Sequence, residues 1–324
     1  MTDDTATTME SIALLGLGIM GRAIARCYSY SGYRVHAWNR GKHNRELTQA
    51  LNLPNVVIHD DPNDAVHQSD LVLMVVMADQ MLATAEAVIR SVDAANWKGK
   101  TLVQFTSHEP FAIKAQEDLI RTTLKANLIG GAMMAVPSTV GTEKGIFLVS
   151  SRDPALVEQH LVALQALGSV VPLTGDTGLA SLADIGLLQA LQFGLAGNEL
   201  SCLIFGRYGV DQAFRDTYME LLPKTTLPIL DGLSQLACKA VFSNDYKEQS
   251  KVYTAAGHLA VYEAHEYFFQ RMGLEGPTYL SAYLEQFRKV NGTEGPAAIV
   301  NTYSFASPKN AAKKHQLNTH VVCP

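Results

Sequence analysis

The stretch Ser11-Ile12-Ala13-Leu14-Leu15-Gly16-Leu17-Gly18-Ile19-Met20-Gly21-Arg22-Ala23-Ile24-Ala25 decides how the first half of the chain is read. A short apolar run ends in Gly16-x-Gly18-x-x-Gly21, and a helical pattern begins at the third glycine. The first glycine permits a tight turn and the second lets the backbone approach a pyrophosphate. The third allows close packing of helix on strand, and the helix N-terminus offers N–H donors to phosphates. Alone, three such glycines say little. Set between a strand and a helix, they point to a dinucleotide site, with Gly16, Leu17, Gly18, Ile19, Met20 and Gly21 as its phosphate turn.

Outward from that turn, Ser11–Leu15, Arg34–Trp38, 71–76, Thr101–Phe105 and 147–150 read as strands. Residues 22–31, 80–92 and 111–124 read as helices between them. Such alternation calls for an α/β domain with a doubly wound parallel sheet, a Rossmann domain over 1–177. After Gly178 strand signals fade and apolar residues recur at helical spacing. A long, all-round apolar helix is expected over 179–205, joining the first domain as an interdomain segment (178–206). Further helices are expected over 211–218, 229–242, 248–271 and 277–289, making 207–324 an all-α C-terminal domain. A helix so apolar, spotted with Gly186, Gly194 and Gly197, invites close approach by another helix, and a homodimer is expected to cover it.

The second strand ends in Trp38-Asn39-Arg40, with Lys42 and Arg45 following and neither Asp nor Glu to hold a ribose 2′-OH. Asn39 can bond near the 2′-oxygen, and Arg40 and Lys42 offer positive charge to a 2′-phosphate, so NADPH is expected over NADH. Met77 and Ser107, each just past a strand end, are further candidates for the cofactor.

Asp184 is the only ionisable side chain between Asp176 and Glu199. A lone carboxylate on a buried helix is costly, so it shifts its pKa, finds a partner or serves chemistry. A capping box, Ser181-x-x-Asp184, is the competing reading.

These segments together resemble the NADPH-dependent imine reductases and reductive aminases, which are similar in fold to β-hydroxyacid dehydrogenases. The likeness rests on Gly16 through Gly21, Trp38-Asn39-Arg40, Gly131-Ala132-Met133-Met134-Ala135-Val136-Pro137, Gly178 through Asp184, and Asp245-Tyr246-x-x-Gln249-Ser250. It implies hydride transfer to a C=N carbon, with an imine, or a carbonyl plus an amine, as substrate. It also implies a homodimer with a shared active site and Asp184 as the catalytic carboxylate. Ser107, Gln192 and Gln249 fall at its substrate pocket. The chain departs from better-known members at Ser107, where Asn is usual, at Gln192, where Tyr is frequent, and near Pro228, where some have Trp.

A β-hydroxyacid dehydrogenase-like carbonyl reductase is the enzyme alternative. That chemistry uses a lysine on the Asp184 helix as acid/base, and no lysine lies between Lys144 and Lys224. A non-catalytic NADP(H)-binding sensor or scaffold is the alternative outside enzymes. A formal net charge of −5 leaves no basic footprint for nucleic acid. Cys27, Cys202, Cys238 and Cys323 have no metal or redox spacing, and His258 and His265 lack a zinc-binding pattern, so no metal is expected. With no signal sequence and no membrane span, the expected location is cytoplasmic.

Overall fold

The computed structural model describes residues 10–77, 88, 91–224, 267, 270 and 271. The chain divides into two compact units between Leu195 and Ala196. In the first, strands β1 (Ser11–Leu15), β2 (Arg34–Trp38), β3 (Val56–Ile58), β4 (Leu71–Met74), β5 (Thr101–Phe105), β6 (Asn127–Met134), β7 (Thr142–Ser151) and β8 (Gly168–Thr174) form one sheet. Its order is β3-β2-β1-β4-β5-β6-β7-β8. The first six strands run parallel in the order of a dinucleotide-binding sheet, which reverses direction of growth between β1 and β4. That reversal opens a crevice beyond the carboxyl ends of the strands.

The sequence led us to expect a parallel sheet throughout, but β7 runs antiparallel to β6. Residues 135–141 are too short a link for a crossover helix, so the chain folds straight back. Strand β8 then pairs parallel with β7 and forms the edge. Pro172 is tolerated there because an edge strand does not need every N–H in the ladder.

Helices cover both faces. On one, α1 (Ile19–Tyr30) and α6 (Pro154–Gln165) bury Ile24, Tyr28, Leu156 and Leu164 against Leu14, Val103 and Phe147. The other face carries α3 (Pro62–His67), α4 (Ala94–Trp97) and α5 (Pro110–Leu119), the last running into a wider turn over Ile120–Leu124. Val66, Trp97, Ile113 and Ile120 pack there against Leu15, Val72 and Leu102. Residues on both faces of β1, β4 and β5 are therefore buried, which explains the unbroken apolar runs at 12–15 and 71–74; β5 buries Thr101 and Gln104 as well. Helix α2 (Lys42–Ala50) follows β2.

The apolar stretch after Gly178 forms α7 (Leu179–Tyr208), close to the expected span. Ser150 on β7 holds its first turn: the hydroxyl donates to the Thr177 carbonyl (2.8 Å) and accepts the Ala180 N–H (3.0 Å). Asp176 adds a cap by accepting the Gly178 N–H at 2.7 Å. In the second unit α8 (Gln212–Lys224) packs Phe214 and Tyr218 edge-on against Phe205 of α7. The helices expected over 229–242 and 277–289, and nearly all of those over 80–92 and 248–271, lie outside the described residues; Tyr267, Gln270 and Arg271 are helical. No helix among the described residues is long and apolar enough to cross a membrane.

Candidate functional site

A cavity of about 800 Å³ opens at the carboxyl ends of β1, β2, β4, β5 and β6. Gly16, with φ of +112°, makes the turn out of β1, and a Cβ there would overlap the Val75 carbonyl. A Cβ on Gly21 would overlap the Gly16 carbonyl. Gly18 differs: it precedes α1 with no side-chain cap, lines the cavity, and a Cβ would meet nothing within 4 Å. The protein has left space beside uncapped helix N–H groups, which suits the phosphates of a dinucleotide.

Several candidate residues have unexpected jobs here. Leu17 is fully buried, and its N–H donates to Asn39 Oδ1 at 2.9 Å. Asn39 Nδ2 donates to the Gly41 carbonyl at 3.0 Å, and Arg45 Nη1 donates to the Asn39 carbonyl at 2.6 Å. Asn39 thus ties the glycine turn to the turn after β2. Lys42 pairs with Glu46 at 3.4 Å and does not line the cavity. Ile19, Met20, Arg40, Met77 and Ser107 do line it, together with Arg22 and Asn44, which the sequence reading missed. The signal was available: Arg22 is four residues after the N-cap Gly18, about one helical turn along, and so projects on the side of that end.

The second part of the site lies where α7 begins. Asp184 is 1% exposed, and neither carboxylate oxygen has a hydrogen-bond partner of ordinary geometry. Burial raises its pKa, and the nearby Ser107 hydroxyl lowers it by a smaller amount. Ser107 follows β5 and lines the cofactor cavity, so one side chain connects the cavity with Asp184. The capping box is not formed: Asp176 and Ser150 serve the first turn of α7, while Ser181 lies inside the helix with its hydroxyl unpartnered. The Gln104 amide and the Thr106 and Thr177 hydroxyls are likewise buried without partners. The side chain of Gln192 and the whole of Pro228 and Gln249 lie outside the described residues.

Fold and cavity define a dinucleotide-binding protein, and comparison with known proteins agrees. Residues 11–171 match the family of the NAD binding domain of 6-phosphogluconate dehydrogenase. Over 244 residues the chain is 28% identical to an NADPH-dependent reductive aminase of Aspergillus oryzae, covering 74% of this chain and 78% of that one. An imine reductase from Myxococcus stipitatus, solved with NADP+, is 24% identical with a TM-score of 0.75, over 87% of this chain and 94% of that one. A reductive aminase from Aspergillus terreus, solved with NADPH and ethyl levulinate, is 21% identical with a TM-score of 0.75, over 91% and 100%. The resemblance read from the sequence holds: the chain is similar to imine reductases and reductive aminases.

Proposed function

We propose that this chain is an NADPH-dependent oxidoreductase that reduces a C=N bond to an amine. The observation that carries the reading is Asp184: a buried carboxyl with no hydrogen-bond partner of ordinary geometry, its pKa raised by burial, and linked through the nearby Ser107 hydroxyl to a cavity suited to a dinucleotide. NADPH, held at the glycine turn and beside Arg22 and Arg40, would supply the hydride to the substrate carbon. Asp184 passes the proton on its carboxyl oxygen to the imine nitrogen, forming an iminium that the carboxylate left behind holds by charge until hydride addition gives the neutral amine. Where the substrate arrives already as an iminium, the carboxylate holds it by charge. Ser107 orients the carboxyl, and the buried surroundings keep water from competing. The relatives' names support C=N chemistry, and the absence of a lysine from Lys144 to Lys224 weighs against a hydroxyacid dehydrogenase.

The finer assembly belongs to the same reading. Leu182, Ile185, Leu187 and Leu191 of α7 are exposed, and a second copy with an all-α C-terminal domain would cover them and complete a shared site with Gln192 and Gln249.

The test is NADPH oxidation with a small cyclic imine, comparing the wild-type protein with Asp184→Ala and Asp184→Asn. Turnover is expected to fall on the order of 10²–10⁴-fold in both variants, with NADPH affinity kept. Equal rates would remove Asp184 from the chemistry. Wild-type turnover of ketones or hydroxyacids, with none of imines, would replace the reading with the carbonyl reductase.

A further inference from the structure

The feature the proposed chemistry leaves unexplained is Arg22. It reaches from the first turns of α1 into the cavity, where Nη1 donates to the Leu17 carbonyl at 2.9 Å and lies 3.4 Å from Asn44 Oδ1. Nη2 and Nε have no protein partner among the described residues, and no carboxylate there pairs with the guanidinium. The cavity lining itself contains no Asp or Glu. Lining and bonding therefore leave a cation held in place, with three of its five N–H donors unused.

Three further observations mark this corner as a phosphate site. Arg40 lines it from the turn after β2. Helix α2 begins beside it with Gly41 as its N-cap and no side-chain cap, so its first N–H groups add partial positive charge. Asn44, in the first turn of α2, holds Arg22 toward that end. The two residues the sequence put forward alongside Arg40 are committed elsewhere: Asn39 links two turns, and Lys42 pairs with Glu46.

We infer that Arg22 sets the preference for a phosphomonoester on the adenosine ribose, clamping the 2′-phosphate from the α1 side while Arg40 and the start of α2 approach from the other. A planar guanidinium offers two parallel N–H donors to such a dianion, and fixing Nη1 on Leu17 and Asn44 aims the remaining donors in advance. This rests on the reading of the cavity as an NADPH site. A contact to the pyrophosphate instead would serve NADPH and NADH equally, so the two roles separate by measurement.

The experiment is calorimetric titration of NADPH, NADH, 2′,5′-ADP and AMP into the wild-type protein, Arg22→Ala and Arg22→Gln. Gln keeps an amide N–H on a shorter side chain and removes the charge, and thermal melts of both variants beside wild type guard against simple loss of the turn. Both variants are expected to lose tenfold or more in NADPH and 2′,5′-ADP affinity, with NADH and AMP changed by less than about threefold, a difference of at least ~0.7 kcal/mol. An NADPH-over-NADH preference left intact, or an equal loss for both cofactors, overturns the role of Arg22. A wild-type protein with no such preference overturns the NADPH reading itself, and this inference with it.

Discussion

At the glycine turn, the polar groups that shape the loop have partners: Leu17 N–H on Asn39, Asn39 on Gly41, Arg45 on Asn39, Arg22 on Leu17. Around Asp184 the opposite holds, with both carboxylate oxygens and the hydroxyls of Ser181, Thr177 and Thr106 buried and unpartnered. A phosphate site gains from rigidity, because preset N–H groups and cations need no rearrangement on binding. A proton-transfer site gains from tension, because a carboxyl denied water and partners keeps its proton to higher pH. The molecule places the two side by side and joins them through Ser107.

Substitutions at the glycines should sharpen the contrast most. Gly16→Ala and Gly21→Ala each drive a Cβ into a backbone carbonyl, and Gly16 also sits at positive φ. Each is expected to destabilise the first unit by on the order of 3 kcal/mol or more, seen in thermal melts of the apoprotein. Gly18→Ala meets open space. It should leave the apoprotein melting within about 2 °C of wild type while weakening NADPH binding by about tenfold or more, roughly 1.4 kcal/mol. Equal melting losses at all three positions would show that Gly18, too, is only a packing glycine.

Legibility differed between the two regions for a physical reason. The phosphate turn is local: one strand, three glycines and one helix, all within contiguous residues, so periodicity and spacing reveal it. Strands β3, β6 and β8 escaped because β3 is three residues long, β8 contains Pro172, and β6 is interrupted by Gly130 and Gly131. Those two glycines exist for long-range reasons: a Cβ on Gly130 would overlap the Thr177 carbonyl, and one on Gly131 would press on the Phe105 ring. Asp184 could be singled out as a lone carboxylate, but its surroundings come from β5, β7 and α7, which the sequence does not bring together. Ser150, which seats α7, carries no local signal at all. It looks like any polar residue at a strand end.

Ser150→Ala therefore probes how firmly the Asp184 region is held. The substitution leaves the Ala180 N–H and one bond to the Thr177 carbonyl unmet, and both residues are fully buried. A loss of about 1–3 kcal/mol is expected in denaturant melts. Turnover should fall as well, because the start of α7 sets where Asp184 stands. Full stability and full turnover together would mean that Asp176 and the packing on Gly130 suffice to seat the helix.

The smallest effect bears on Asp184 itself, through stability and not turnover. Its carboxyl releases a proton near 3.8 in the unfolded chain and only at higher pH in the folded one, because burial disfavours the charged form. Across that window the native state binds more protons, so wild-type stability falls as pH rises through it and stays reduced above. Asp184→Asn cannot titrate. The variant should melt above wild type at neutral pH, with the gap closing as pH drops below the window, even though its activity is lost. A gap that does not change with pH would mean Asp184 ionises as a solvated carboxylate does, and the contrast between a satisfied turn and a strained acid would fail at its central residue.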